Sequence, residues 1–231
     1  MTAQARRSLA TLAPWRFFSP NTRAPVTSAL LTHHPLARFL ESTPVVDSDA
    51  PDIAAFVDAR LRGLDPIAAA EAVFLFVRDE VRHSWDIRGR RVTCVASEVL
   101  RHREGLCYAK SHLAAALLRR AGVPAGICYQ RLTLDDADAS AGHVVHALST
   151  VFIAPLGRWI RFDARGNRPG VDARFSLTDE ALAFPIRPEF GELDYLRNEP
   201  DAHPLIVASL TAHDDALALM AGALPSELPL P

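Results

Sequence analysis

Cys107 is the residue of this sequence that is best placed to do chemistry. It follows Gly105 and Leu106 and opens a run rich in alanine and leucine that ends before Gly122 and Pro124. The apolar residues of this run recur at helical spacing, so the run predicts a helix with Cys107 in its first turn. The unpaired N–H groups and the dipole at a helix N-terminus favour an anion, and a thiol attacks as its anion. Cys107 is therefore a candidate nucleophile.

A nucleophilic thiol needs a base and a group that orients the base. Residues 143–153 and 158–164 have alternating patterns and are separated by a short turn, which predicts a β-hairpin. His146 and Asp163 fall on the same face of this hairpin, within reach of a hydrogen bond, whereas His143 points to the opposite face. The hairpin thus supplies a candidate imidazole base and a candidate carboxylate.

Two turn lengths remain open for the hairpin. If Ile153 pairs with Arg158, Leu148 lies opposite Asp163 and His146 lies diagonal to it. A turn of two residues would place His146 directly opposite Asp163. Both registers keep the histidine and the aspartate on one face, because the side chains of a strand alternate.

We expect the thiol at the tip of the helix that begins at Cys107 to pack over this face of the sheet. His146 would then take the thiol proton and return it to a leaving group, while Asp163 holds the imidazole in the useful tautomer. The N–H of Cys107 would donate to the oxyanion of a carbonyl under attack. Together the three residues predict acyl-transfer chemistry on a thiol.

Each of the three residues also has a purely structural interpretation. Cys107 could be a packed thiol at a helix end, and His146 could be a core histidine bonded to the backbone. Asp163 could close the hairpin or pair with Arg161 or Arg165. The occurrence of all three residues in this order favours the catalytic interpretation.

The other two cysteines, Cys94 and Cys128, are flanked by valine or isoleucine and are predicted to be buried small hydrophobes. With three cysteines and no Cys-x-x-Cys pair, the sequence indicates neither a disulfide framework nor a thiolate zinc site. The histidines His143 and His146 of "HVVH" point to opposite faces of a strand, so they cannot chelate one ion together. We therefore expect no metal and no cofactor.

The segment "RGNRPG" follows the last predicted strand and lacks the strand-then-helix context of a phosphate-binding loop. It predicts a turn that carries Arg165 and Arg168 near the mouth of the site. There the two guanidinium groups could meet a carboxylate of the substrate.

The remaining elements must hold the thiol against the hairpin. Asp65 and Pro66 form a cap and first-turn pair ahead of a helix with an apolar stripe. The stretch "ASEVLRHREG" predicts a short helix stopped by Gly105, and residues 125–134 predict a further strand. Other helices are predicted at residues 28–40, 52–62 and 204–220, and the chain after residue 165 is predicted to wrap the sheet. Helices followed by antiparallel strands indicate an α+β domain.

The order of these motifs resembles the transglutaminase-like superfamily, whose fold is similar to that of papain-type thiol enzymes. The resemblance rests on "GLCYAKSHLAAALLRRAGVPAGI", "HALSTVFI" and "RWIRFDARGN" and covers roughly residues 65–170. It implies that Cys107 matches the family nucleophile, His146 its histidine and Asp163 its aspartate. Leu148 departs from the pattern, because an aromatic residue often follows "HA" in the family.

The resemblance also implies an oxyanion donor upstream of the cysteine. His83, Ser84 and Trp85 in "VRHSWDI" are the candidates. Members of the superfamily include protein-glutamine crosslinkers, amide hydrolases and proteins that have lost catalysis. The resemblance therefore leaves both an active enzyme and an inactive relative open.

Length and composition predict one cytoplasmic domain with appendages. The chain has 231 residues, of which 49% are hydrophobic and 23% charged, as in ordinary globular proteins. We predict an irregular N-terminal arm at residues 1–25, a single domain at 26–222 and a proline-rich tail at 223–231. A net charge of −2 indicates no nucleic-acid or anionic-membrane partner, and neither a secretory signal nor a membrane span stands out.

The sequence therefore predicts a cofactor-free thiol enzyme that acts on carboxamide or peptide carbonyls through a Cys107 thioester. Hydrolysis is favoured over acyl transfer to an amine. The substrate would be a peptide, a protein or a small amide, and the sequence does not determine the oligomeric state. The alternative is a catalytically silent binding or scaffold module that has kept the fold.

Overall fold

The computed structural model describes residues 24–25, 30–135 and 138–229. Of the predicted N-terminal arm, Ala24–Pro25 is described and forms a short strand; the rest of the arm lies outside the described residues. The helices of the described chain are α1 (Pro51–Arg60), α2 (Pro66–Glu80), α3 (Ala96–His102), α4 (Cys107–Arg120), α5 (Pro204–Thr211) and α6 (Ala216–Met220). The strands are β1 (Ala24–Pro25), β2 (Arg82–His83), β3 (Glu104–Gly105), β4 (Ala125–Thr133), β5 (His143–Ile153), β6 (Arg158–Phe162), β7 (Asp179–Glu180) and β8 (Leu193–Asp194).

Helix α4 is the centre of the domain. It contacts α1, α2 and α3 as well as β4 and β5 of the sheet. Every residue of α4 from Cys107 to Arg119 is buried. A helix that is covered on all sides needs small and apolar side chains around its whole circumference, which is why alanine and leucine dominate here.

Helix α2 begins where the cap predicts it. The Asp65 carboxylate accepts the N–H groups of Ile67 and Ala68 at 2.9 and 3.0 Å, and Pro66 occupies the first turn. The apolar stripe of the helix, with Val73 and Val77 among its buried residues, then faces the core. The cap thereby fixes where α2 begins, and the apolar stripe decides which side of it is buried.

The principal sheet has four antiparallel strands in the order β6-β5-β4-β8. Its central pair, β4 with β5, is the longest, because Ala125–Thr133 pairs residue by residue with His143–Val151. Two smaller pairs accompany it: β2 with β3, which is parallel, and β1 with β7, which is antiparallel. Helices packed on an antiparallel sheet confirm the predicted α+β class.

The two faces of the sheet belong to different clusters. Val145, Ala147 and Val151 of β5 join the core formed with the helices. Leu148 points to the opposite face, where it packs with Cys128 and with residues that follow the hairpin. The chain between residues 171 and 184 covers this second face, which confirms that the segment after residue 165 wraps the sheet.

Several predicted boundaries differ from the structure. Helix α3 ends before Arg103, which adopts a left-handed conformation with φ 53°, so Gly105 does not stop it. Gly105 lies in β3, where a Cβ atom would come within 2.9 Å of Thr93 Oγ1. Of the helix predicted over residues 28–40, the described residues form a short 3-10 helix at Leu36–Leu40.

The helix predicted over residues 204–220 is two helices, α5 and α6. Asp215 interrupts it, because its carboxylate accepts the N–H groups of Leu217 and Ala218 and so starts a new helix. The residues of the predicted tail as far as Leu228 pack against the domain. Within the described residues no helix combines the length and apolarity required to cross a membrane.

Candidate active site

Cys107 is the first residue of α4, as the spacing predicts. The parallel pair β2–β3 holds the chain just before it, because His83 pairs with Gly105 and the Ser84 amide donates to the Gly105 carbonyl at 3.1 Å. Leu106 then adopts an extended conformation and the helix begins. The thiol is thus anchored between the short β2–β3 ladder and the core of the domain.

His146 and Asp163 form a close pair on one face of the sheet. Nε2 of His146 lies 2.8 Å from Oδ2 of Asp163. Ile153 pairs with Arg158, so the longer turn is the one observed, and Asp163 follows directly after the last residue of β6. The predicted contact between the two side chains is confirmed.

The Asp163 carboxylate is held by backbone donors as well as by the imidazole. Oδ1 accepts the N–H of Arg165 at 3.0 Å, and Oδ2 accepts the N–H of Ala183 at 3.2 Å. The edge of the His146 ring meets the Phe184 ring at a centroid distance of 5.2 Å. These contacts fix both partners in orientation, since a carboxylate with several donors cannot rotate freely.

The Cys107 thiol lies at the same cavity as the imidazole. Cys107 and His146 both line it, and the Cys107 thiol is one of the groups that raise the pKa of His146. Because Nε2 is held by Asp163, Nδ1 is the ring nitrogen left for the thiol. The structure therefore brings together all three residues that the sequence selects.

Only the tip of α4 lies near the face of the sheet that carries His146. The body of α4 packs on the opposite face, and the Tyr108 hydroxyl donates to the Val145 carbonyl there. Strand β6 pairs with Ser149–Ile153 of β5, so the described chain leaves the earlier part of β5 without a strand on that side. The tip of α4 reaches His146 around this open edge.

The charges of the pair follow from this geometry. Burial lowers the pKa of His146, but the Asp163 carboxylate and the Cys107 thiol outweigh burial and raise that pKa to about 10. Burial raises the pKa of Asp163, but His146 and the two backbone donors outweigh it, so the net shift is downward. The imidazole is therefore protonated at neutral pH.

Two of the three candidates for the upstream oxyanion donor lie beside the thiol. His83 and Trp85 line the cavity with Cys107, whereas Ser84 is fully buried and does not line it. The Trp85 amide donates to Nδ1 of His83 at 3.3 Å. Burial, Arg165 and Lys110 lower the pKa of His83 well below its usual value, so this histidine is neutral.

Residues 57–164 match the model of the transglutaminase-like superfamily. These residues belong to that superfamily. The matched stretch runs from α1 to just beyond β6 and contains Cys107, His146 and Asp163. No curated protein matches the sequence at a significant level.

Two solved structures are similar to the transglutaminase-like domain at low identity. A candidate cysteine protease from Cytophaga hutchinsonii is 20% identical, with a TM-score of 0.43 over 56% of this chain and 42% of that one. The periplasmic domain of TgpA from Pseudomonas aeruginosa, bound to ethylmercury, is also 20% identical, with a TM-score of 0.41 over 56% of this chain and 48% of that one. This chain thus spans less than half the length of either structure.

Arg165 lies beside the cavity of the transglutaminase-like domain, but its guanidinium is already bound. Nη1 and Nη2 lie 2.7 and 2.8 Å from the Asp86 carboxylate, and the side chain is 1% exposed. The expectation that Arg165 meets a carboxylate of the substrate is therefore wrong, because the Asp86 carboxylate already occupies the guanidinium. Arg168 also approaches Asp86, with Nε at 4.0 Å. The Arg165–Asp86 pair ties the loop that carries Trp85 to the turn after Asp163.

Lys110 is a site residue that the sequence analysis missed. It lies one turn after Cys107, is 1% exposed, and donates through Nζ to the carbonyls of Val81 and Arg165. Burial and then Arg165 lower its pKa to about 7, although Asp163 opposes this shift. Lys110 thereby joins α4 to the chain before His83 and to the turn after Asp163. The available signal was a lysine in the first turn of a helix rich in alanine and leucine.

His143 does not belong to the site. Its Nε2 lies 2.9 Å from the Phe190 carbonyl, and strand alternation points it away from the face of His146. Across the residues that the structure describes, no group of three or more histidine, cysteine, aspartate or glutamate side chains is arranged to hold a metal ion.

Iodoacetamide should label Cys107 before the other two cysteines, by about a hundredfold or more at neutral pH. Burial, with Glu98, raises the pKa of Cys94 to about 11, and burial raises that of Cys128 to about 12, so both remain thiols. Cys107 alone of the three meets a protonated imidazole. Peptide mapping by mass spectrometry of the folded protein would measure the order, with Cys107→Ser as control. Faster labelling of Cys94 or Cys128 would contradict the assignment.

Proposed function

We propose that the transglutaminase-like domain is a thiol enzyme that attacks a carboxamide or peptide carbonyl. The observation that carries this proposal is the continuous line of contacts from Cys107 through His146 to Asp163, held at the tip of a buried helix. A single buried cysteine or histidine has a structural explanation. A thiol next to an imidazole that is itself held by a carboxylate is the arrangement that nucleophilic catalysis needs.

In the proposed reaction the Cys107 thiolate attacks the carbonyl carbon, and the carbonyl oxygen becomes an oxyanion. Cys107 is the first residue of α4, so its N–H has no acceptor within the helix and can donate to that oxygen. Trp85 and His83 border the same cavity and are the candidates for a second donor. The oxyanion would therefore form on the side of the thiol that faces β2.

Collapse of this intermediate breaks the bond between carbon and nitrogen. Protonated His146 gives its proton to the leaving amine, and a thioester on Cys107 remains. Neutral His146 then takes a proton from water, the resulting hydroxide attacks the thioester, and a carboxylic acid leaves with Cys107 restored as thiolate. Asp163 keeps the imidazole aligned in both steps.

We propose water as the acyl acceptor. Cys107 and His146 are 8% and 4% exposed, and the cavity they share is lined mostly by apolar side chains. A water molecule needs less room than the amine of a protein side chain. Transfer to an amine would be observed as a stable amide product in place of the acid.

The substrate class and cellular location stay predictions from the sequence. We propose a peptide, a protein or a small amide as substrate and a cytoplasmic location, with no nucleic-acid or membrane partner. The near-neutral net charge of −2 supports only the last point, that no nucleic acid or anionic membrane is a partner.

The proposal is tested by trapping the thioester. Glutaminyl and other amide peptides would be incubated with the protein, quenched in acid, and examined for an acyl adduct on Cys107 by mass spectrometry. Hydroxylamine should release the acyl group as a hydroxamate, Cys107→Ala should form no adduct, and EDTA should leave the rate unchanged. Absence of any adduct across such peptides, with labelling of Cys107 by iodoacetamide intact, would favour the silent binding module.

A further inference from the structure

Backbone near the carboxyl end of the chain lies along the open edge of β5. We call residues 221–228 the C-terminal segment. The amide of Val145, on the edge that β6 leaves open, donates to the carbonyl of Pro225 at 2.8 Å. The C-terminal segment therefore takes the position of an additional strand beside the residue that precedes His146.

The same segment closes the cavity over the thiol. Leu224, with Met220 at the end of α6, lines the cavity that Cys107 and His146 share. The neighbouring lining includes the apolar side chain of Val144. With the segment in this position the thiol is 8% exposed, which leaves a substrate carbonyl little room to reach it.

The C-terminal segment is held at both ends: the Ser209 hydroxyl donates to the Ala223 carbonyl at 2.8 Å, and two further contacts hold the far end. The Leu228 side chain is 6% exposed within the core, and its amide donates to the Tyr195 hydroxyl at 2.8 Å. Glu227 lies 3.3 Å from Arg131 in an exposed ion pair, which contributes little. A segment with few anchors can open locally at much lower cost than the core. Leu228 is thus the main attachment point of the far end.

We propose that the C-terminal segment occupies the substrate groove of this site as an internal substitute for an extended peptide, and leaves before a substrate carbonyl reaches Cys107. This inference rests on the proposed function and adds the chemistry of the substrate. A peptide in the groove would pair its backbone with the open edge at Val145, as peptides do that add a strand to a sheet. It would place a leucine-sized apolar side chain in the cavity where Leu224 lies.

Leu228→Asp should release the C-terminal segment, because a carboxylate cannot remain in the core. We expect the rate at which iodoacetamide labels Cys107 to rise by about tenfold or more, since the C-terminal segment no longer covers the cavity most of the time. Leu205→Asp is the matched control, because Leu205 is 47% exposed on α5 and should label at the wild-type rate. A folded Leu228→Asp variant that labels no faster than the control would overturn the inference.

A synthetic peptide of residues 221–228, "AGALPSEL", should restore protection when added to the Leu228→Asp variant. The same peptide carrying Leu224→Asp should not, because the cavity is apolar. If both peptides protect Cys107 equally, or if neither peptide protects it, the assignment of the groove is overturned. Labelling needs no turnover, so faster labelling without hydrolysis of any amide would support the occupancy and contradict the proposed function.

Hydrogen exchange of the wild-type chain tests the same opening without a variant. The Val145 amide should exchange about tenfold faster, or more, than the amides by which β5 pairs with β4, because its acceptor is on the C-terminal segment. Exchange of Val145 as slow as that of the central strand pair would overturn the inference, even if Leu228→Asp failed to fold.

Discussion

Replacing Cys107 by alanine should abolish turnover, and replacing His146 by alanine should cost nearly as much, about 10⁴-fold or more in kcat. The double variant should lose little beyond either single variant. The reason is that the thiolate and the imidazolium act as one unit, with the imidazole at the same cavity as the thiol and bound to Asp163. Steady-state rates on the amide substrate, at equal folded fraction by circular dichroism, would measure these losses.

His143→Ala is the matched control for the base. His143 lies on the same strand as His146 but on the opposite face, where it contacts the Phe190 carbonyl. Its loss should leave the rate within a few-fold of wild type, as expected of a residue outside the catalytic unit. Abolished activity in His143→Ala together with a tolerated His146→Ala would show that the proposed catalytic residues are wrong.

Asp163→Asn should lower kcat by about a hundredfold or more, because an amide keeps the shape but allows the wrong tautomer of His146. The pH profile should also change. Asp163 raises the pKa of His146, so without the carboxylate the imidazolium loses its proton at lower pH. The alkaline limb of the rate profile should therefore move toward neutral pH.

Asp194→Asn is the control for the aspartate substitution. Asp194 lies on the edge strand β8, where Oδ1 binds Arg161 at 2.6 Å, away from the cavity around Cys107. This variant should keep both the rate and the position of the alkaline limb. If Asp163→Asn keeps the wild-type pH profile, Asp163 does not act through the imidazole.

Local patterns were enough to predict the two elements that carry the site. The N-terminus of α4 at Cys107 follows from a helical run behind a glycine, and the capped start of α2 follows from Asp65. The contact between His146 and Asp163 follows from strand alternation, which is insensitive to the length of the turn. These features depend on neighbours in the chain, so the sequence contains their cause directly.

The ends of several elements could not be predicted in the same way. Arg103 ends α3 in a left-handed conformation, and Gly105 serves close packing against Thr93 instead of stopping the helix. The break before α6 depends on a side chain, Asp215, that competes with helix continuation. Local signals of similar strength conflict at such points, and packing decides between them.

The sequence by itself determined the fold class, the helix tip at Cys107 and the shared face of His146 and Asp163. The tertiary structure decided that α4 packs on the other face, so that the thiol meets the imidazole around an open strand edge. It also decided the burial of Lys110 and the seating of residues 221–228 over the cavity. Periodicity states which residues share a face but not what covers that face, because the covering segments are distant in the chain and have no period of their own.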